Sequence, residues 1–285
     1  MEKTEKTDKT DKTDKTGIIV CGSKGRMGGA IISVIQDYVE LLFIGGVDSN
    51  YAPYEISESK SEKVPPGKFL TLKEALHSTA GIKNKVIIDF TSKGASLIHA
   101  EEAALFNVPI VIGSTGFSES ELKTVEGYGK HVPIVLSGNM SLGINVLLNI
   151  VYDASKYLGE NYDCEIIETH HKKKKDAPSG TAKMLAGAVA KQRHINLAEK
   201  AVYGRCGDVG EREKDEIGIF SVRAGDVIGE HKVIFAGNEE VIEISHKAVS
   251  RNNFARGAVK AALWLRGKNK GFYDMRDVLG LNKYE

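Results

Sequence analysis

Apolar residues follow two rhythms along this chain, and the rhythms alternate. Short, nearly continuous apolar runs at 17–21, 41–47, 85–90, 108–112 and 132–136 predict buried strands. Between them the spacing turns helical: Ala30, Ile31, Val34 and Ile35 share one helix face, and 95–106 reads as a further helix. The strands run into small polar residues, at Gly22, at Thr91, at Gly113-Ser114-Thr115-Gly116 and at Ser137-Gly138-Asn139-Met140. Strands that alternate with helices and close this way predict a parallel sheet with ligand loops along one edge.

Beyond Met140 the rhythm changes. Residues 142–158 read as one long helix, 163–169 as a strand, and the segment after Pro178 as a helix to about 192. Strands follow at 217–222, 231–235 and 241–247, with a turn at Arg223-Ala224-Gly225-Asp226, and 254–265 is helical again. Residues 2–16 stand apart as a three-residue repeat with no apolar side chain and five acids against five lysines. Such a segment cannot bury enough surface to offset its ordering entropy, so 1–16 is expected to be a disordered tail.

Composition narrows the class. A chain of 285 residues, 41% hydrophobic and 27% charged, has room for two domains with ordinary cores. A formal net charge of +1 argues against a nucleic-acid partner. No apolar run approaches ~20 residues, so no membrane span is expected. Cys21, Cys164 and Cys206 lack paired zinc-ligand spacing and fit the reducing cytoplasm, so no metal is expected.

Two stretches carry chemistry. Gly22-Ser23-Lys24-Gly25-Arg26-Met27-Gly28 lies between a strand and a helix, and such a loop cradles phosphate. An ordinary strand-to-helix turn would look similar. Asp48 ends the next strand, 20 residues after Gly28, where a carboxylate can bond ribose hydroxyls. The pair points to a dinucleotide.

The second stretch is His170-His171-Lys172-Lys173-Lys174-Lys175-Asp176-Ala177-Pro178-Ser179-Gly180-Thr181-Ala182. Imidazole exchanges a proton near neutral pH, and clustered lysines attract an anion. Pro178 suits a first helical turn, and the N–H groups after it can hold a carboxylate. Four consecutive lysines are also what a solvated surface carries. The residues alone choose neither between the two histidines nor among the lysines.

The glycine loop, Asp89-Phe90-Thr91, Gly113 to Phe117 and the His170–Ala182 run occur here in the order seen in the dihydrodipicolinate reductase family. So do Val222 to Asp226, Gly229-Glu230-His231 and the stretch from His246 through Arg251 to Trp264. From Gly17 onward the chain resembles that family, and the His-Lys-Asp-Ala-Pro-Ser-Gly-Thr-Ala loop is specific to it.

The resemblance implies an NADH- or NADPH-dependent reduction of 4-hydroxy-tetrahydrodipicolinate (dihydrodipicolinate), a small cyclic dicarboxylate, to tetrahydrodipicolinate. That step serves lysine and diaminopimelate biosynthesis. Position by position, it implies His170 as catalytic proton donor and Lys174 as the second catalytic cation. Gly22, Ser23, Lys24, Gly25, Arg26 and Met27 would hold the pyrophosphate and Asp48 the ribose. Phe90, Thr91, Gly113, Ser114, Thr115, Ser137, Gly138, Asn139 and Met140 would complete the cofactor site. His171, Ser179, Gly180, Thr181 and Arg251 would bind substrate.

Two departures stand out. Ser49 follows Asp48 where many relatives carry an Arg for the extra phosphate of NADPH, which implies a tilt towards NADH, with Arg26 still able to meet that phosphate. Met140 stands where an aromatic is common.

The expected architecture is α/β. A Rossmann-like parallel-sheet dinucleotide-binding domain should span 17–140 and 251–285. A smaller α+β substrate and oligomerisation domain with an open mixed sheet should span 141–250. The family further implies a homotetramer, and the cysteine usage a cytoplasmic location. The rivals are another nicotinamide-dependent reductase, which would not need the His-Lys loop, and a non-catalytic dinucleotide sensor, which would have lost the polar groups around His170.

Overall fold

The structure is a computed structural model that describes residues 15–51 and 67–281. The tail expected at 1–16 lies outside the described residues except for Lys15 and Thr16. Thr16 is not tail: its N–H donates to Glu40 O at 2.9 Å and it opens the first strand.

In chain order the first elements are β1 (Thr16–Cys21), α1 (Arg26–Ile35), β2 (Leu41–Val47), β3 (Gly67–Phe69), α2 (Leu72–Ser78), β4 (Lys85–Asp89), α3 (Lys93–Leu105), β5 (Ile110–Ile112), α4 (Glu119–Gly129) and β6 (Pro133–Leu136). Then come α5 (Leu142–Leu158), β7 (Asp163–His170), α6 (Gly180–Gln192), α7 (Leu197–Lys200), β8 (Ala201–Val202), β9 (Ile217–Arg223), β10 (Gly229–Ala236) and β11 (Val241–Ala248). The chain ends on α8 (Asn252–Leu265), β12 (Gly271–Tyr273) and α9 (Met275–Leu279).

The first sheet has the order β12-β6-β5-β4-β1-β2-β3, and β1 to β6 pair in parallel. Parallel strands covered on both faces need continuous apolar side chains. Ile18, Ile19, Val20, Ile87, Ile88, Ile110 and Ile134 meet that need with no exposed surface. The chain leaves β1 to one side for β2 and β3, then returns to the other side as β4. At that reversal the loops after β1 and β4 emerge side by side, Gly22 N–H bonding Val47 O at 2.8 Å and Phe90 N–H bonding Cys21 O at 3.2 Å.

The second sheet is mixed, in the order β11-β10-β7-β9-β8. β10 runs antiparallel to β7 and β11, whereas β7 and β8 run parallel to β9. Alternation decides its faces. Cys164, Ile166, Ile217, Ile219, Val233 and Phe235 turn inward against Ile144, Leu147 and Val151 of α5 and Leu185 and Val189 of α6. The opposite face is partly open, with Val222 43% and Val241 59% exposed.

Contacts divide the chain into two compact units. The first holds the described residues through Leu136 plus Ala258–Phe272; the second holds Ser137–Gly257 plus the described residues from Tyr273. The hydrophobic pattern suggested a return near Arg251 with everything later in the first domain. The contacts place the cut inside α8 instead, and the last residues join the second unit because α9 packs on α5.

Phe235 has no exposed surface and carries the Arg193 guanidinium 5.6 Å from its ring centroid. Phe235→Ala is expected to cost about 3–5 kcal/mol of second-unit stability, checked by the midpoint shift in urea denaturation.

Candidate active site

In the first unit, α1 begins differently from its neighbours. Side chains of Thr71, Ser92, Ser118, Ser141, Ser179, Asn196 and Asp274 cap α2, α3, α4, α5, α6, α7 and α9. The cap of α1 is Gly25, with no side-chain bond and no acid in the first turn. The N–H groups of Arg26, Met27 and Gly28 therefore meet no acceptor among the described residues. Bare N–H groups at the positive end of a helix fit a pyrophosphate. Gly28 is required there, because a Cβ would stand 2.1 Å from Gly22 O. The cradle thus suits a dinucleotide.

Asp48 closes the same loop. Its carboxylate accepts the Lys24 N–H at 3.0 Å through one oxygen and the Asn50 N–H at 3.0 Å through the other. Beside it, Lys24 and Lys68 lie 5.4 and 5.6 Å from the centre of the Tyr51 ring, and Tyr51 OH meets Ser23 Oγ at 2.8 Å. Tyr51 was not anticipated from the sequence. Across the reversal, fully buried Asp89 accepts from Thr91 N–H at 2.9 Å and Thr91 Oγ1–H at 2.6 Å, while His99 Nδ1 lies 3.0 Å from its other oxygen. This bends the chain so that Phe90 and Thr91 form the loop after β4. Ser114 is fixed in the same way by Ser96 Oγ at 2.8 Å.

In the second unit, Ser137 Oγ–H donates to Asn139 O at 2.9 Å, Asn139 Oδ1 accepts Ser141 N–H at 2.8 Å, and Asn139 Nδ2 donates to Thr181 Oγ1 at 2.9 Å. The loop after β6 is thereby tied to the first turn of α6. That helix starts at Gly180 with Ser179 as its cap, so Pro178 precedes the cap and is not in the first turn as expected. The reason is the Ser179 hydroxyl, which accepts the Ala182 N–H at 3.2 Å. The N–H groups of Gly180 and Thr181 stay without acceptors among the described residues and can take a carboxylate.

The His-Lys loop leaves the end of β7. His170 Nδ1 lies 2.5 Å from Glu168 Oε2, and Glu168 has no exposed surface. Arg223 NH1 and NH2 each donate to this carboxylate at 2.8 Å, and Ser179 N–H at 3.1 Å. Burial by itself would raise the Glu168 carboxyl, but the bonds from Arg223, His170, Ser221 and Ser179 outweigh it and hold it at about 2. The stabilisation is complete above the ordinary value of 4.5 and is lost as pH falls through about 2.

Burial lowers His170 below its ordinary value; Glu168 opposes that shift, while Lys174 and Arg223 add to it. His231 packs edge-on, 5.2 Å between ring centroids, and bonds Ser179 Oγ through Nε2 at 3.2 Å. Burial first, then His170, pushes His231 down to about 3, so it stays neutral.

Of the other expected residues, Lys174 is largely buried and gives two 2.9 Å bonds to Asp176. His171 is half-buried, and its Nδ1 has no partner among the described residues. The Arg251 guanidinium pairs with nothing among the described residues, and no bond joins it to the His170 cluster. Met140 is 2% exposed and serves as packing.

Sequence reasoning missed Glu168, Arg223, His231 and Asp176 as members of the cluster. One signal for Glu168 was present: Cys164, Ile166 and Glu168 share the inward side of an alternating strand, and a charge there needs a partner.

The profile described as "Dihydrodipicolinate reductase, N-terminus" matches residues 16–140, and that described as "Dihydrodipicolinate reductase, C-terminus" matches 143–279. The 4-hydroxy-tetrahydrodipicolinate reductase of Syntrophus aciditrophicus is 44% identical over 262 residues, covering 92% of this chain and 97% of that protein. The protein of the same name from Syntrophobacter fumaroxidans is 44% identical over 263 residues, covering 92% and 98%. Among solved structures, a dipicolinate-bound dihydrodipicolinate reductase from Paenisporosarcina sp. TG-14 shares the fold with a TM-score of 0.70 at 24% identity, covering 91% of this chain and 97% of that one. An amine dehydrogenase from Mycobacterium smegmatis shares it at 0.62 and 9%, covering 95% and 97%. With matching profiles across both units and such relatives along nearly its whole length, the chain belongs to the dihydrodipicolinate reductase family.

Proposed function

We propose that this enzyme reduces dihydrodipicolinate, arriving as 4-hydroxy-tetrahydrodipicolinate, to tetrahydrodipicolinate in lysine and diaminopimelate biosynthesis. The observation that carries the reading is His170, held by a buried carboxylate that also anchors the bare N–H groups opening α6. A bound nicotinamide supplies the hydride. The chain's own part is to bind a dianion and deliver a proton. Gly180 and Thr181 N–H groups take one carboxylate, and Lys174 and Arg251 supply fixed positive charge. Binding an anion competes with Asp176 for the Lys174 ammonium. His170, with Nδ1–H on Glu168, gives its proton from Nε2 to the reduced ring.

In the first unit the dinucleotide is held by Gly22, Ser23, Lys24, Gly25, Arg26 and Met27 with Asp48, together with the loops at Phe90-Thr91 and Gly113-Ser114-Thr115, while Ser137 to Met140 belong to the second unit. Ser49 places no cation after Asp48, which favours NADH; Arg26, exposed and without a partner among the described residues, keeps NADPH usable. The open face of the second sheet supports a homotetramer. The three unpaired cysteines, Cys21, Cys164 and Cys206, support a cytoplasmic location. A silent dinucleotide sensor has no use for the intact Glu168–His170 cluster, and this favours the reductase.

Turnover with substrate generated in place from pyruvate and aspartate semialdehyde is expected to fall about 10²–10⁴-fold in His170→Gln while NADH affinity is kept. Unchanged turnover would remove His170 from its role; wild-type protein that binds cofactor without turnover would favour the sensor. Because the donor must be charged, kcat is expected to fall as pH rises through the His170 value. Burial sets that value low and the dianion raises it. Gly28→Ala is expected to weaken NADH binding at least tenfold, since the added methyl meets backbone, and fluorescence titration reads it. The kcat/KM ratio should favour NADH; equal values or an NADPH preference would refute the tilt.

A further inference from the structure

We infer that Glu168 is the positioning residue of the proton donor, one carboxylate that sets both the tautomer of His170 and the place of the substrate's carboxylate cradle. The inference rests on the reading of His170 as the donor. Glu168 has two oxygens, and besides Ser221 four donor atoms bond them. Oε2 takes His170 Nδ1–H at 2.5 Å and Arg223 NH1 at 2.8 Å; Oε1 takes Arg223 NH2 at 2.8 Å and Ser179 N–H at 3.1 Å. With Nδ1 committed as a donor, Nε2 is the nitrogen left for chemistry. That nitrogen sits over Gly229, where an added Cβ would come within 3.1 Å of it.

The second consequence lies on the other oxygen. Ser179 is the cap of α6, and the free N–H groups of Gly180 and Thr181 follow it directly. Glu168 Oε1 holds that cap, so donor and cradle share one frame. A residue fixed by packing alone would not join them.

A buried ion pair with Arg223 that merely stabilises the sheet is the competing account, and it makes a different prediction. The groups facing the His170 ring are Glu168 on its own strand, Arg223 on β9, His231 on β10 and Lys174 from the loop. His231 is neutral, so the balance is one anion against two cations. Removing the anion must lower the His170 value, and removing the Arg223 cation must raise it. A purely structural pair would shift the titration in the same way, but it would neither fix the Nδ1–H tautomer nor tie the substrate KM to Glu168.

The test is nitrogen-15 NMR of the histidine rings across pH in the full-length protein, alongside kcat profiles, for wild type, Glu168→Gln, Glu168→Asp and Arg223→Gln. Expected are an Nδ1–H tautomer in wild type and a titration that moves to lower pH in Glu168→Gln but to higher pH in Arg223→Gln. The alkaline limb of kcat should move with each. Glu168→Gln should also reduce kcat about a hundredfold, raise the substrate KM and leave NADH affinity unchanged, with Glu168→Asp restoring part of the titration shift. An Nε2–H tautomer in wild type, or shifts of the same sign in both variants, would overturn the inference. Should Glu168→Gln fail to fold, the wild-type tautomer and the Arg223→Gln shift still decide. The NMR readout needs no turnover, so a His170→Gln enzyme that stays active would refute the donor role, and with it the positioning of a donor, while the tautomer and titration shifts would still report what Glu168 does to the ring.

Discussion

A carboxylate with no exposed surface cannot stay ionised without partners, and Glu168 obtains all of its partners from elsewhere in the second unit. Arg223 comes from β9, Ser179 from the start of α6, and His170 from two residues along its own strand. To keep this one charge, β7 and β9 must run in parallel register, Glu168 beside Ser221 and His170 beside Arg223, and α6 must begin where it does. The turn after β9 follows: Ala224 N–H bonds His170 O at 2.9 Å and Lys172 N–H bonds Gly225 O at 3.1 Å. The same guanidinium reaches the His-Lys loop, Arg223 NH2 donating to Asp176 O at 2.7 Å. The wide shift of the Glu168 carboxyl, down to about 2, measures how strongly the surroundings favour the charge.

The histidines around it form a graded set. His231 is driven to about 3 by burial and by the nearby His170, and His246 is lowered as well, again by burial. Among these three only His170 is hydrogen-bonded to a carboxylate, which opposes its desolvation directly; Glu168 acts on His231 through space alone, and His246 has a backbone bond. His231 thus stays a neutral, polar wall beside His170. The difference lies in contacts and burial, since isolated side chains of the same type are identical.

The first unit uses the opposite device. Helix starts are usually satisfied by the chain itself, and in this protein Ser, Thr, Asn and Asp caps do so repeatedly. At α1 that satisfaction is withheld by Gly25, at the point where the sheet reverses its strand order. Stability is given up at one helix end, which leaves bare N–H groups of the kind a phosphate can meet. Buried Asp89 serves the same region differently, turning its acceptors on Thr91 so that the loop after β4 holds its shape beside the cradle.

Much of this was legible in the chain. Buried strands announce themselves by apolar runs, because both faces of a parallel sheet are covered, and β1, β2, β4, β5 and β6 were read within a few residues. Helices α5, α6 and α8 were likewise plain from their spacing. β3, β8 and β12 were not, since strands of two or three residues have no period and exist only because an edge is there to pair with. α2 and α4 went unread although Thr71…Glu74 and Ser118…Glu121 are capping boxes, a signal that periodicity alone does not weigh.

By itself the sequence determined the alternation of elements, the glycine loop, Asp48 and a His-Lys segment whose order of residues resembles one family. Only the tertiary structure decided which imidazole is held and by what. Glu168 lies 55 residues from Arg223 and 11 from Ser179, and local pattern carries no information about such partners. Burial converts an ordinary strand residue into a charge that must be met, and the fold supplies what meets it.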